Sequence, residues 1–193
     1  MLYKIFLVSL IILVISCSTK YKNPHVEIQT KQGSIEVELY PDQAPKSVAA
    51  FLSYVDSGYY KNCSFYRVLR DDNQPSDAPK SELVQGGLWA NRSKRPELPG
   101  IPHETTQQTH IQHKEGILSL ARTAPGTAST EFFICMDDEP GLDYGGENNP
   151  DKQGYAAFGK VIKGMDIVRE IYNQQENDQY FDPPVPIYKI IRL

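Results

Sequence analysis

Residues 116–134 read GILSLARTAPGTASTEFFI, and this stretch decides the fold class. Two short apolar runs, 117–121 (ILSLA) and 131–136 (EFFICM), flank a polar segment carrying Pro125-Gly126. Such runs are too short for helices and are bounded by turn residues, so they read as strands joined by a loop. Phe132 and Phe133 are neighbours on the second strand and must point to opposite faces, one into a core and one away from it.

Working outward, the same signals recur. Residues 26–30 (VEIQT) and 34–39 (SIEVEL) alternate apolar and polar around Lys31-Gln32-Gly33, a hairpin signal. Pro45 opens a helical pattern in which Val48, Phe51, Leu52 and Val55 share a face, and Gly58 stops it. Strands are expected at 64–69 (SFYRVL), at Leu83-Val84-Gln85 before Gly86-Gly87, at 155–161 (YAAFGKV) and at Ile187–Leu193. A second helix is expected from Gly164 to Tyr172. Segments 71–81, 90–114 and 137–154 are polar and irregular, and read as surface loops. Many short strands, two helices and long polar loops predict a mainly β fold: a closed antiparallel barrel with helices over its open ends.

The chain has 193 residues, enough for one domain with a sizeable core, and a net charge of −4. That balance lacks the basic footprint of a nucleic-acid binder. Of the four histidines, His103, His110 and His113 fall in one polar stretch without a Cys, Asp or Glu at ligand spacing, and read as part of a solvated loop. No metal, cofactor or nucleic acid is expected, and the chain is expected to act as a monomer. Cys63 and Cys135 lie on or beside strands; an oxidising compartment would permit a disulfide between them, but buried free thiols are common and unpaired thiols are the favoured reading.

The N-terminus has a different character. In residues 1–16, MLYKIFLVSLIILVIS, Lys4 precedes an apolar run from Ile5 that suits a secretory signal and is short of the ~20 residues of a membrane span. Val14-Ile15-Ser16-Cys17 resembles the lipobox of bacterial lipoproteins, which implies a lipid on Cys17 and a membrane as a partner. The division expected is a signal peptide over 1–16, a lipidated tether over 17–24 and a folded domain over 25–193. The domain would then lie in the cell envelope, in the periplasm or otherwise outside the cytoplasmic membrane.

Four ordered segments resemble the cyclophilin family of peptidyl-prolyl cis/trans isomerases: Phe65-Tyr66-Arg67-Val68, Gln85-Gly86-Gly87, the stretch 116–134, and Phe158-Gly159-Lys160-Val161 followed by Gly164-Met165. The resemblance implies a closed eight-stranded antiparallel barrel capped by two α-helices, with an exterior pocket for proline-containing polypeptides, and a role in protein folding. Arg67 would be the catalytic arginine, Gln85 the amide that orients it and Phe133 the floor of the proline pocket. Phe65, Leu83, Ala121, Glu131, Leu142 and Tyr155 would contact substrate. Arg67 taken alone reads as an ordinary surface arginine; the motif around it gives it the role. Three departures stand out. Glu82 falls where the family has a pocket phenylalanine, behind a long loop. Glu131 replaces a glutamine and is expected near the groove and within reach of Arg67. Gly141 falls where the family has the tryptophan prominent in cyclosporin binding. These departures keep a second function open, a proline-recognising scaffold or chaperone with little turnover.

Overall fold

The computed structural model describes residues 21–90 and 96–193; the expected signal segment and Cys17 lie outside the described residues. Nine strands are present among the described residues: β1 (His25–Thr30), β2 (Ser34–Leu39), β3 (Cys63–Leu69), β4 (Leu83–Gly87), β5 (Ile117–Leu120), β6 (Phe132–Cys135), β7 (Ala156–Lys163), β8 (Glu176–Asn177) and β9 (Tyr180–Arg192). Eight of them hydrogen-bond in the order β1-β2-β7-β5-β6-β4-β3-β9, and β9 returns to β1. The sheet is therefore a closed antiparallel barrel with no free edge among these eight. The two-residue β8 is an outlying hairpin partner of β9.

Period-two alternation fills the interior. Val26 and Ile28 of β1, and Ile35, Val37 and Leu39 of β2, are fully buried, whereas Glu27 and Glu36 between them face out. Helix α1 (Pro45–Asp56) has Pro45 in its first turn, where the missing N–H costs no helical bond. Its buried face lays Phe51 over one mouth of the barrel, against Phe158 (5.1 Å between ring centroids), Tyr60 (5.2 Å) and Phe132 (5.8 Å). Burying one such ring stabilises the fold by about 2–3 kcal/mol. Helix α3 (Met165–Tyr172) buries Val168 and Ile171.

The two expected helices are present, and the described residues hold a third α-helix. Within the stretch read as irregular, Thr106–Thr109 forms a one-turn helix, α2, closed by a reciprocal capping box between Thr105 and Gln108. Its capping residues are polar, so apolar periodicity could not reveal it. Strand β9 begins seven residues before the expected Ile187, because Pro183, Pro184 and Pro186 remove ladder donors and mask a strand in sequence. Cys63 and Cys135 are both buried free thiols.

Candidate active site

The site begins with an irregularity in β3. Phe65 pairs with Gly86 and Arg67 with Gln85, so Tyr66 is an extra residue and the strand carries a β-bulge. The bulge breaks the alternation. Phe65 and Val68 are both fully buried in the core, while Tyr66 and Arg67 both turn to the outer face and line one cavity. Phe65 therefore does not contact substrate as expected. Its ring packs edge-on against Phe132 at 5.9 Å inside the barrel.

Antiparallel register then builds a row of side chains. Tyr180 of β9 lies opposite Arg67, Arg67 opposite Gln85 of β4, Gln85 opposite Phe133 of β6, and Phe133 opposite Ser119 of β5. Opposed residues in such a ladder keep their Cβ atoms about 5 Å apart on one face. Arg67, Gln85 and Phe133 all line a cavity of about 500 Å³, together with Leu83, Ala121, Glu131, Leu142 and Tyr155.

Phe133 forms an apolar floor. It packs edge-on against Tyr155 at 5.3 Å and is stacked with His113 at 6.0 Å. His113 is not in a solvated loop. It is buried beside the floor, with Nδ1 on Asp143 Oδ1 at 2.7 Å and Nε2 3.0 Å from Ser119 Oγ. This Asp-His-Ser order is that of a hydrolytic triad, but Ser119 is fully buried and does not line the cavity, so its hydroxyl has no access to a substrate carbonyl. Tyr155 is held from the other side by Arg122. That guanidinium lies 5.3 Å from the Tyr155 ring, and is fixed by Asp151 (2.7 and 2.8 Å) and the Gly154 carbonyl (2.6 and 2.8 Å).

The Arg67 guanidinium is held by two neutral amides. Its Nη1 donates to Gln85 Oε1 at 3.4 Å, and its Nε and Nη2 donate to Gln179 Oε1 at 3.3 and 2.7 Å. Gln85 in turn donates to the Tyr66 hydroxyl at 2.6 Å. Gln179 has no counterpart in the sequence reading. It lies in a turn between β8 and β9 that carries no apolar pattern, and only the folded register brings it beside β3.

Glu131 does not pair with Arg67, contrary to expectation. Its Oε1 accepts the Leu88 N–H at 3.1 Å and the Thr130 hydroxyl at 3.0 Å, while Oε2 is buried without a hydrogen-bond partner among the described residues. The carboxylate thus anchors the turn after β4 from the edge of the cavity. That turn presents Trp89, which stacks between Tyr66 (5.1 Å) and Tyr180 (5.3 Å) and adds an aromatic wall. Glu82, unlike Glu131, is outside the cavity lining; its carboxylate accepts from Tyr172 OH at 2.8 Å. Leu69 and the loop residues Gln74, Pro79 and Ser81 line the cavity near Leu83. Next to Leu142, Gly141 faces Asn148, whose amide bridges to Ser81 Oγ at 2.6 Å and fills the space that a Gly141 side chain would need.

One further carboxyl is unusual. Glu139 is buried and accepts the Glu82 N–H at 2.5 Å. Burial, reinforced by the nearby charges of Glu82, Asp137 and Asp71 and opposed by that hydrogen bond, pushes its carboxyl up to about 7.

Comparison with known proteins agrees with this architecture. Residues 25–192 match the family described as cyclophilin type peptidyl-prolyl cis-trans isomerase/CLD. The chain is 36% identical over 152 residues to a peptidyl-prolyl cis-trans isomerase of Acinetobacter baylyi, covering 78% of this chain and 73% of the relative. It is 31% identical over 147 residues to peptidyl-prolyl cis-trans isomerase B of Escherichia coli, covering 76% and 82%. Among solved structures, a cyclophilin type isomerase of Cryptosporidium parvum crystallised in the presence of the dipeptide Ala-Pro superposes with a TM-score of 0.69 at 26% identity. That match covers 86% of this chain and 97% of the other.

Proposed function

The chain belongs to the cyclophilin-type peptidyl-prolyl cis/trans isomerases, and from that membership we propose that the cross-strand row Arg67–Gln85–Phe133 is where the reaction takes place. The observation that carries this reading is the register that brings the three side chains into one cavity.

The reaction breaks no bond. The two X-Pro isomers lie within about 1 kcal/mol of each other, but amide resonance separates them by about 18–20 kcal/mol. A catalyst needs only to bind the twisted amide better than the planar one. On this reading the prolyl ring sits on Phe133, between Leu83, Leu142 and Tyr155, and the floor resists movement because His113 and Tyr155 brace it. Twisting takes the prolyl nitrogen out of conjugation and localises its lone pair. The Arg67 N–H groups not engaged by Gln85 and Gln179 then donate to that nitrogen. In a cavity partly shielded from water, such a charge-assisted bond is stronger than in bulk. A 10⁴-fold acceleration requires roughly 5–6 kcal/mol of preference for the twisted state. Substrates are proline-containing polypeptides.

The deciding measurement is kcat/KM for an X-Pro peptide. Arg67→Ala is expected to lose 10²-fold or more, about 2.7 kcal/mol, with an unchanged melt. Arg67→Lys should lose nearly as much, because an ammonium lacks the planar fork that two amides can hold. Full activity in Arg67→Ala would move the reading to a proline-recognising scaffold.

The cellular setting is also proposed. The apolar run of residues 5–15 followed by Ser16-Cys17 supports a reading in which the protein is exported, lipidated and assists folding in the cell envelope. Wild-type protein should carry acyl chains and partition into detergent. Cys17→Ser should abolish both; acylation persisting at another residue would sink this part of the reading.

A further inference from the structure

We infer that Gln179 is a second positioning residue for Arg67, and that its neutrality is what the site requires. This rests on the reading of Arg67 as the catalytic cation. Of the five N–H donors on the guanidinium, two converge on the single oxygen Gln179 Oε1, at 3.3 and 2.7 Å, whereas Gln85 receives one at 3.4 Å. By distance, Gln179 is the stronger of the two holds. The remaining N–H groups are on Nη1 and Nη2, so Gln179 decides which edge of the cation is left to face a substrate.

Gln179 is itself rigidly placed. Its backbone has φ +72°, in the left-handed region that a non-glycine residue occupies only when its surroundings hold it there. Its carbonyl accepts the Val68 N–H at 2.8 Å, just beyond the bulge that turns Arg67 outward. Its N–H donates to Glu176 Oε2 at 2.6 Å, and its side-chain Nε2 donates to the Asn73 carbonyl at 3.0 Å. Asn73 returns to the same strand end by donating to the Val68 carbonyl at 3.2 Å. The turn before β9 and the loop after β3 thus converge on one amide, and that amide fixes the guanidinium.

The chemistry explains an amide in preference to a carboxylate. Glutamate at this position would form a charge-assisted pair with Arg67, drawing positive charge away from the edge that must meet the prolyl nitrogen. An amide oxygen orients the cation and leaves its charge available. Both groups that hold Arg67 are neutral, while the nearby carboxylates are engaged elsewhere: Glu131 on Leu88 and Thr130, Glu176 on the Gln179 backbone.

The test is a steady-state comparison on an X-Pro peptide, with thermal melts for every variant. Gln179→Ala should lower kcat about tenfold with KM changed less than twofold, since ground-state binding to the apolar floor is untouched. Gln179→Glu, nearly the same size, should be active at low pH and lose activity as pH rises through its carboxyl's titration. The wild type, which already carries Glu176, Glu131 and Tyr66 around the same site, supplies the control profile. In an Arg67→Lys background, Gln179→Ala should cost less than twofold more. Wild-type kcat in both folded Gln179 variants, or an equal loss in the Arg67→Lys background, would overturn the inference. If Arg67→Ala alone proves fully active, it is the underlying role of Arg67 that fails.

Discussion

Phe65 and Phe133 lie in the same kind of sequence, an aromatic within a short apolar strand, yet they serve opposite sides of the barrel wall. Both are at most 2% exposed, so burial alone does not separate them. Their neighbours do. Phe65 meets Phe132 in the interior, whereas Phe133 meets Tyr155 and lines the cavity. Phe65→Leu should therefore lower the melting temperature while leaving kcat/KM per folded molecule unchanged. Phe133→Leu should raise KM with a smaller stability loss. Glu139 gives a second residue-scale expectation. Its carboxyl is raised from an ordinary value near 4.5 to about 7 in the folded protein. A group raised on folding favours the native state below its unfolded value, and that contribution is lost as pH rises through its folded value. Wild-type stability should thus decline between about pH 4.5 and 7. Glu139→Gln keeps the acceptor for Glu82 N–H and removes the buried charge. It should flatten that decline and stabilise the protein at pH 8 by roughly 3 kcal/mol. Melts across this pH range would read the difference directly, and an unchanged slope would contradict it.

At the scale of elements, alternation predicts a strand well and the facing of its residues only while the register stays regular. The hairpin of β1 and β2 was legible because nothing interrupts its period of two. The β3 pattern SFYRVL was legible as a strand, but the bulge at Tyr66 moves Arg67 onto the cavity face beside it and sends Phe65 inside. Bulges carry no reliable sequence mark, so family position gives Phe65 to the site where the folded strand gives it to the core. Gln179, His113 and Trp89 were illegible for a related reason: each is in a turn or loop whose place against the sheet is set by closure of the barrel. The turn after β4 is fixed tightly enough to test. Gly87 has φ +140°, and a Cβ there would run into the Glu131 carboxylate and lie 2.7 Å from the Thr130 carbonyl. Gly87→Ala combines backbone strain with a displaced buried carboxylate. It should cost at least about 2 kcal/mol, and should disturb the Tyr66–Trp89–Tyr180 stack, visible as a change in Trp89 fluorescence. A fully stable variant with unaltered fluorescence would show that the turn is looser than this packing implies.

For the whole molecule, closure of the barrel joins its beginning to its end, and the segment just before β1 takes part. The Tyr21 ring stacks on His25 at 3.6 Å, Asn23 donates to Glu38 Oε1 at 3.0 Å, and the Pro24 carbonyl accepts the Leu39 N–H at 2.9 Å. Residues 21–24 are therefore laid along the barrel, although their polar composition reads as free tether. His25 lies between this strap and Glu36, whose carboxyl is lowered to about 2 by hydrogen bonds from Lys163 and His25. A fragment beginning at residue 21 should melt as the longer soluble chain does. A fragment beginning at residue 25 loses the stack, the contact of Tyr21 with Glu36, the Asn23 side-chain bond and one backbone bond, and leaves the Leu39 N–H short of a partner. A net hydrogen bond is worth about 1 kcal/mol, so the shorter fragment should be less stable by about 2 kcal/mol. Its kcat/KM should stay unchanged, because Arg67 and Phe133 are on strands away from the strap. The consequence extends to anchoring. If Cys17 bears the lipid, docking of Tyr21 leaves only residues 18–20 between them, a reach of roughly 14 Å at most. The β1–β2 end of the barrel would then lie against the bilayer surface, with little freedom to rotate. Inserting ten Gly/Ser residues after Ser18 should leave activity on short peptides unaltered, and should make Lys163 and Glu36 more accessible to surface labelling in vesicles. Equal labelling before and after insertion would show that the strap detaches when the protein is anchored.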